Sequence, residues 1–287
     1  MMSQAALNGV YPVTIAPTTD ENGPADALIY YRIRAFDAYP ELKHAIFTRH
    51  GGVSRSPFAS LNLGPSVGDA PQAVAQNLAR ACRVLGTSPD QTVSCHLTHS
   101  ADILSVNRRN RQRVMGYGDG LITVDPAIYL TMRFGDCTPL ILFDPVRRAI
   151  GLAHAGWRGT MKNVAGSIVE AMVNRLGCAA ENMIAVIGPA IGPCCYEVGP
   201  EVRQAADRTF SEADTLFSRP GRNGRSRPAH FDLWEANQRQ LAAGGVTQII
   251  QSKLCTACRT DLFFSHRAEQ GRTGRFGVII GLEEQRL

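Results

Sequence analysis

Two rhythms of apolar and polar positions run along the chain, one close to two residues and one close to three and a half, and the switches between them mark its elements. HAIFTRHGGVS (44–54) reads as a strand entering a Gly-Gly turn. From Asp69, DAPQAVAQNLARACRVLG takes the helical period, with Val74, Leu78, Cys82 and Leu85 as its apolar stripe. Asp69 is expected to cap this helix and Pro71 to sit in its first turn. TVSCHLTHSADILSV (92–106) reads as a strand, with His99 in it or just beyond it. LILFD (140–144) and AIGLAH (149–154) read as buried strands joined by PVRR. MKNVAGSIVEAMVNRLG (161–177) predicts a helix with Val164, Ile168, Met172 and Leu176 on one face and Gly177 as its stop. MIAVIG (183–188), QIIQS and RFGVIIGL (275–282) are further strands, and DLWEANQRQLAAGG (232–245) is a helix that Asp232 can cap.

No internal repeat appears, and no linker divides the chain. Residues 1–27 carry little periodicity and are expected to form a loose N-terminal tail. Residues 28–287 are expected to form one catalytic domain. Strands mixed with helices, one strand pair forming a hairpin, define an α+β or mixed α/β fold, a mixed β-sheet flanked by helices.

Composition narrows the class. Of 287 residues, 44% are hydrophobic and 19% charged, which fits a water-soluble globular domain. No apolar run is long enough to span a membrane, so no membrane partner is expected. The opening MMSQAALNGVYPV lacks the basic and apolar segments of a secretion signal, so the expected compartment is cytoplasmic. A net charge of +5 suits an anionic small ligand such as phosphate and does not call for nucleic acid. The densest basic run, SRPGRNGRSRP (218–228), is threaded with Gly and Pro and reads as an exposed loop. Eight cysteines in a reducing compartment read as free thiols or metal ligands rather than disulfides.

The candidate chemistry lies in GDCTPLILFDPVRRAIGLAHAGWRGT (135–160). If Val146 and Arg147 centre the hairpin turn, His154 faces residue 139, and Cys137 is its diagonal neighbour within side-chain reach. After His154 a glycine-bearing loop enters a helix, a natural anion site that Thr160 could cap and Arg158 could reinforce. A neighbouring Cys and His allow two chemistries. His154 could deprotonate Cys137 for nucleophilic attack. Alternatively both bind zinc, with His99 as third ligand and an open fourth position. An inert buried cysteine is the third reading. The Cys255-Thr-Ala-Cys258 spacing suits a metal, but it lacks a second C-x-x-C partner, and Cys194-Cys195 reads as packing. Trp157 could stack a purine or simply pack. Arg49 and His50 could line the pocket or serve the turn, and Asp136 could orient a ligand from behind.

The chain resembles the YfiH-like family, known as multicopper polyphenol oxidase or laccase-domain proteins and as purine nucleoside phosphorylases. The resemblance rests on TRHGGVS (48–54), SLNLG (60–64), THSADI (98–103), GDGLIT (118–123), GDCTPLILFDP, GLAHAGWRGT, IGPAIGPCCYEVG (187–199) and FFSHRAEQGRTGR (263–275). It implies a metal site on His99, Cys137 and His154, zinc or copper as cofactor, and Arg49, Asn62 and Arg158 toward substrate and phosphate. It implies phosphorolysis of adenosine, inosine, guanosine and methylthioadenosine, adenosine deamination, and a monomer or homodimer. Leu97, Gly135 and His266 stand where the family usually has Gln, Ala and Tyr. A Cys–His hydrolase editing peptidoglycan precursors, a copper polyphenol oxidase and a non-enzymatic metal-binding protein are the alternatives. True multicopper oxidation usually uses His-x-His pairs, and seven histidines here form none.

Overall fold

The computed structural model describes residues 9–15, 19–20, 23–24, 27–109, 114–218 and 229–284. In chain order the principal strands are β1 (Val10–Ile15), β2 (Leu28–Ile33), β3 (Leu42–Phe47), β4 (Thr92–His96), β5 (Ile103–Ser105), β6 (Val114–Tyr117) and β7 (Gly120–Thr123). They continue with β8 (Tyr129–Phe134), β9 (Thr138–Asp144), β10 (Ala149–Ala155), β11 (Ile184–Ile187), β12 (Gln248–Gln251) and β13 (Phe276–Leu282). The helices are α1 (Pro71–Val84), α2 (Trp157–Met161), α3 (Val164–Leu176), α4 (Pro200–Thr209) and α5 (Leu233–Ala243).

The expected α/β class is present, with two mixed sheets rather than one. A seven-stranded sheet runs β1-β2-β3-β13-β8-β4-β6, and a six-stranded sheet runs β12-β11-β9-β10-β7-β5. Most pairs are antiparallel; β8–β4, β4–β6, β11–β12 and β5–β7 are parallel. The sheets pack face to face. Ile46, Leu130, Phe134 and Val278 of the first meet Ile141, Phe143, Ile150 and Val186 of the second in one buried cluster. On the outer face of the six-stranded sheet, Leu140, Leu142 and Ala153 pack under Ile168, Val169 and Met172 of α3 and Leu241 of α5. On the outer face of the other, Ala45, Phe47 and Ile279 pack under Leu78, Ala81 and Cys82 of α1. The order is therefore helix, sheet, sheet, helix. It explains why β9 and β10 are buried at every position: both of their faces are covered. Each fully buried Phe or Leu contributes roughly 1.5–3 kcal/mol.

Several local expectations change. Val10–Ile15, placed in the loose tail, pair residue by residue with β2, because alternate side chains of this segment find a sheet edge. Asp69 does not cap α1: the cap position is Ala70, and the Asp69 carboxylate instead accepts from Ser54 Oγ and Asn62 Nδ2. The strand expected over 92–106 is broken into β4 and β5, which belong to different sheets. α3 starts at Val164, capped by left-handed Asn163 (φ 64°), whose side chain accepts from Gly166 N–H. Gly177 ends α3 in the left-handed region (φ 69°), and Asp232 caps α5 through Glu235 N–H, both as expected. Of the basic run 218–228, residues 219–228 lie outside the described residues.

Candidate active site

The hairpin has the register its turn implies: Pro139 pairs with His154. Cys137 directly precedes β9, two residues from that pair, and so reaches toward the His154 ring. His99 comes from the segment that leaves β4 in one sheet and enters β5 in the other, and it holds a left-handed backbone (φ 55°). The ligand-type atoms of His99, Cys137 and His154 all lie within 4.8 Å of one another. The two imidazole rings stack with centroids 5.1 Å apart and planes at 21°. Gly156 closes the floor. A Cβ there would stand 2.9 Å from Cys137 Sγ and 3.5 Å from His99 Nδ1, so only glycine lets the backbone pass.

Behind His154 stands Asp119, a residue not singled out by the motif reading. Asp119 is fully buried, and its Oδ1 lies 3.0 Å from His154 Nδ1. Its Oδ2 accepts from the backbone N–H and hydroxyl of both Thr98 and Ser100, the residues flanking His99. One carboxylate thus orients one histidine directly and the other through its loop. The available signal was GDGLIT: an acidic residue between glycines entering a buried strand has no reason to be there unless it is partnered.

Electrostatics follow from that burial. Burial opposes a proton on His154, but the charges at Cys137 and Asp119 outweigh it and hold its pKa up to about 9. Asp119 stays well below the carboxylate range: burial works against its charge, and His154 and the Ser100 and Thr98 N–H groups overcome it. Burial, then the neighbouring His154, lowers His99.

The donor set fits a transition metal. Two imidazoles and one thiol converge, and His99 Nδ1 is buried with no hydrogen-bond partner among the described residues. With Nδ1 of His154 facing Asp119, its Nε2 is the nitrogen that would face a metal, which would have to displace the proton held there. Three protein ligands with room for a fourth match a catalytic rather than a closed structural site.

A cavity of ≈150 Å³ opens over His99 and Cys137, lined also by Asp136, Gly156, Trp157, Arg158, Ile191, Tyr196 and Leu233, while His154 is buried and is not part of its lining. The exposed Arg158 guanidinium lies over the Trp157 ring, 4.4 Å from its centroid, and makes no ion pair among the described residues. A larger groove of ≈710 Å³ along α3 and α5 holds neither candidate metal-ligand cluster of the described residues.

Other expected site residues sit elsewhere. Arg49 is engaged by Ala59 O, Thr260 O and Glu269, with its guanidinium over Phe264, and His50 bonds Asp261 O; neither lines the cavity. Asn62 is fully buried, and its amide serves Gly64, Asp69 and Arg275 N–H, which leaves nothing to offer a phosphate. Asp136, expected behind a ligand, is itself among the cavity's lining residues. Its carboxylate accepts from Thr256 Oγ1, Ser265 Oγ and Arg267 N–H, so it fixes the loops around the cavity rather than a ligand side chain. Thr160 does not cap a long helix. It lies within the five-residue α2 and bonds Asn237, and α3 begins only at Val164, so the loop feeds a short turn of helix rather than a long one. Tyr196, Ile191 and Leu233 were not anticipated, because they reach the cavity through tertiary packing alone.

Residues 43–283 match the family described as multi-copper polyphenol oxidoreductase laccase, and the chain belongs to that family. Among its relatives is a protein of Geobacillus stearothermophilus named purine nucleoside phosphorylase YlmD, 40% identical over 248 residues, spanning 83% of this chain and 89% of that one. Another is a purine nucleoside phosphorylase of Deinococcus radiodurans, 37% identical over 241 residues, spanning 83% and 88%. The crystal structure of the Bacillus licheniformis hypothetical protein YfiH superposes with a TM-score of 0.81 at 34% identity, covering 92% of this chain and 98% of that one. Among the described residues only one cluster contains histidine, which is unlike the several copper centres the family description suggests. No helix among them is long and apolar enough to cross a membrane.

Proposed function

We propose that this protein is a zinc-dependent purine nucleoside phosphorylase, acting on adenosine, inosine, guanosine and methylthioadenosine, with adenosine deaminase activity at the same site. The observation that carries the reading is the convergence of His99, Cys137 and buried His154, the first two of which line a cavity whose wall holds Arg158 and Trp157. The names of the relatives support the phosphorylase part of this reading.

Phosphorolysis joins a phosphate oxygen to C1′ of the ribose and breaks the bond to the purine nitrogen. The purine leaves with the electron pair and is then protonated. Arg158 is the exposed cation of the wall and meets the phosphate, in two-pronged fashion. Trp157, already stacked on Arg158, offers an aromatic face to the purine. Asp119 holds His154 and the His99 loop in one geometry throughout. A bound zinc would supply Lewis acidity at the floor, as it does in other zinc enzymes of nucleobase chemistry. Copper suits the same donors, so bound copper alone would not make the protein an oxidase.

The test is product analysis with adenosine, with and without phosphate. Adenine released only with phosphate, together with inosine, is the expected result. No turnover by protein carrying stoichiometric zinc would overturn the reading. One observation favours a second reading: Cys137, His154 and Asp119 stand in line as nucleophile, base and orienting carboxylate. His99→Ala separates the two, since it cripples a zinc enzyme and spares a Cys–His hydrolase.

A further inference from the structure

A second group of ligand-type side chains lies outside this site. Cys194 and Cys195 follow the turn at Gly192, and Cys255 and Cys258 bound the turn that comes after β12; their four sulfurs lie within 4.8 Å of one another. Cys258 Sγ is 3.5 Å from Cys194 Sγ and 3.3 Å from Cys195 Sγ. A disulfide needs about 2.05 Å. Four sulfurs around a tetrahedral zinc, each at about 2.3 Å, stand about 3.8 Å apart, close to the spacing seen. Cys255 Sγ also accepts the Gly192 N–H at 3.2 Å, the kind of outer hydrogen bond that steadies a thiolate ligand. The C-x-x-C spacing at 255–258 is a usual half-site for zinc. The other half is an adjacent pair, and the turn places both of its sulfurs on Cys258.

We propose that Cys194, Cys195, Cys255 and Cys258 form a second metal site, a closed tetrathiolate that binds zinc and clamps the wall of the active-site cavity. The clamp joins the two loops that shape that wall. Tyr196, next to Cys195, lines the cavity. Thr256, between Cys255 and Cys258, donates to Asp136, the residue before Cys137. With all four positions filled by protein, the site has no place for substrate and its role is structural.

The protein is handled anaerobically with reductant, and zinc alone is added or removed with a chelator. Alkylation of each cysteine is then followed by peptide mass. Cys194 and Cys258 are exposed and alkylate readily without metal. Zinc is expected to slow both at least tenfold, together with Cys195 and Cys255, and chelation to reverse this. Equal rates with and without zinc, or a disulfide joining Cys258 to Cys194 or Cys195 that persists under the reductant, would overturn the proposal. Cobalt alone provides a second reading on the intact chain. Intense thiolate-to-cobalt charge-transfer bands with tetrahedral d–d bands are expected, and Cys258→Ser should remove most of that intensity while the metal on His99, Cys137 and His154 is kept. A spectrum unchanged by Cys258→Ser would count against the site.

Discussion

His154 and Asp119 are joined twice: the ring Nδ1 lies 3.0 Å from the carboxylate, and the His154 backbone N–H donates to the Asp119 carbonyl at 2.8 Å. Both side chains are shut off from water. Asp119→Asn keeps the volume and removes the charge that fixes the ring. Activity is expected to fall about 10–100-fold, with weaker metal retention. Steady-state kinetics and metal analysis of the purified variant check this, and an unchanged variant would remove Asp119 from the site.

Gly156→Ala places a methyl group 2.9 Å from Cys137 Sγ. The two sulfur- and nitrogen-bearing ligands cannot close around it. The variant should fold, since β10 ends before it, and should lose its histidine-bound metal. Calorimetry with zinc is the measurement. Wild-type affinity would mean that the floor is looser than its geometry implies.

Arg158→Ala should cost little stability, because the side chain is exposed and unpaired among the described residues. It should raise the KM for phosphate about 10–100-fold, the loss of a charge-assisted contact. The KM for nucleoside should change less.

Asn62→Ala tests the opposite expectation. It strips a fully buried amide from Gly64, Asp69 and Arg275 and should destabilise the fold by about 2–4 kcal/mol. The KM for phosphate in the folded fraction should stay as it was. Urea unfolding and phosphate kinetics together decide it, and a raised KM would return Asn62 to the substrate.

His44 gives the protein an acid limit. It is 3% exposed and accepts the Ile33 N–H, and burial lowers its pKa to about 4 from 6.5. The unfolded chain therefore takes up the proton first. The stabilisation from neutral His44 is complete above about pH 6.5 and is lost as the pH falls toward about 4. The loss is about 2 kcal/mol at pH 5. Denaturant unfolding at neutral and mildly acid pH should show this slope in wild type, and His44→Gln should flatten it.

Hairpin chemistry was legible because a turn centre at Val146 and Arg147 determines every cross-strand partner, His154 and Pro139 included. The helices α3 and α5 were legible from period and from Gly177 and Asp232. Partners chosen by tertiary contact were not. Asp69 has the chemistry of a cap, yet it bonds Ser54 and Asn62. Asn62 and Arg49 have the chemistry of anion binders, yet carbonyls, carboxylates and N–H groups from distant loops consume them. The stretch 92–106 reads as one strand because no pattern along the chain says that its two halves join different sheets. Asp119 and Tyr196 were hidden for the same reason: their neighbours are remote in sequence.

That crossing between sheets also divides the donors by the kind of contact that supplies them. Cys137 and His154 share one short hairpin, a local contact. His99 sits in a loop between the two sheets, and its flanking residues hang on buried Asp119. A metal held by all three would therefore find two donors along one hairpin and the third only through a tertiary contact. Firm capture of such a metal would report native packing around Asp119, beyond the hairpin alone.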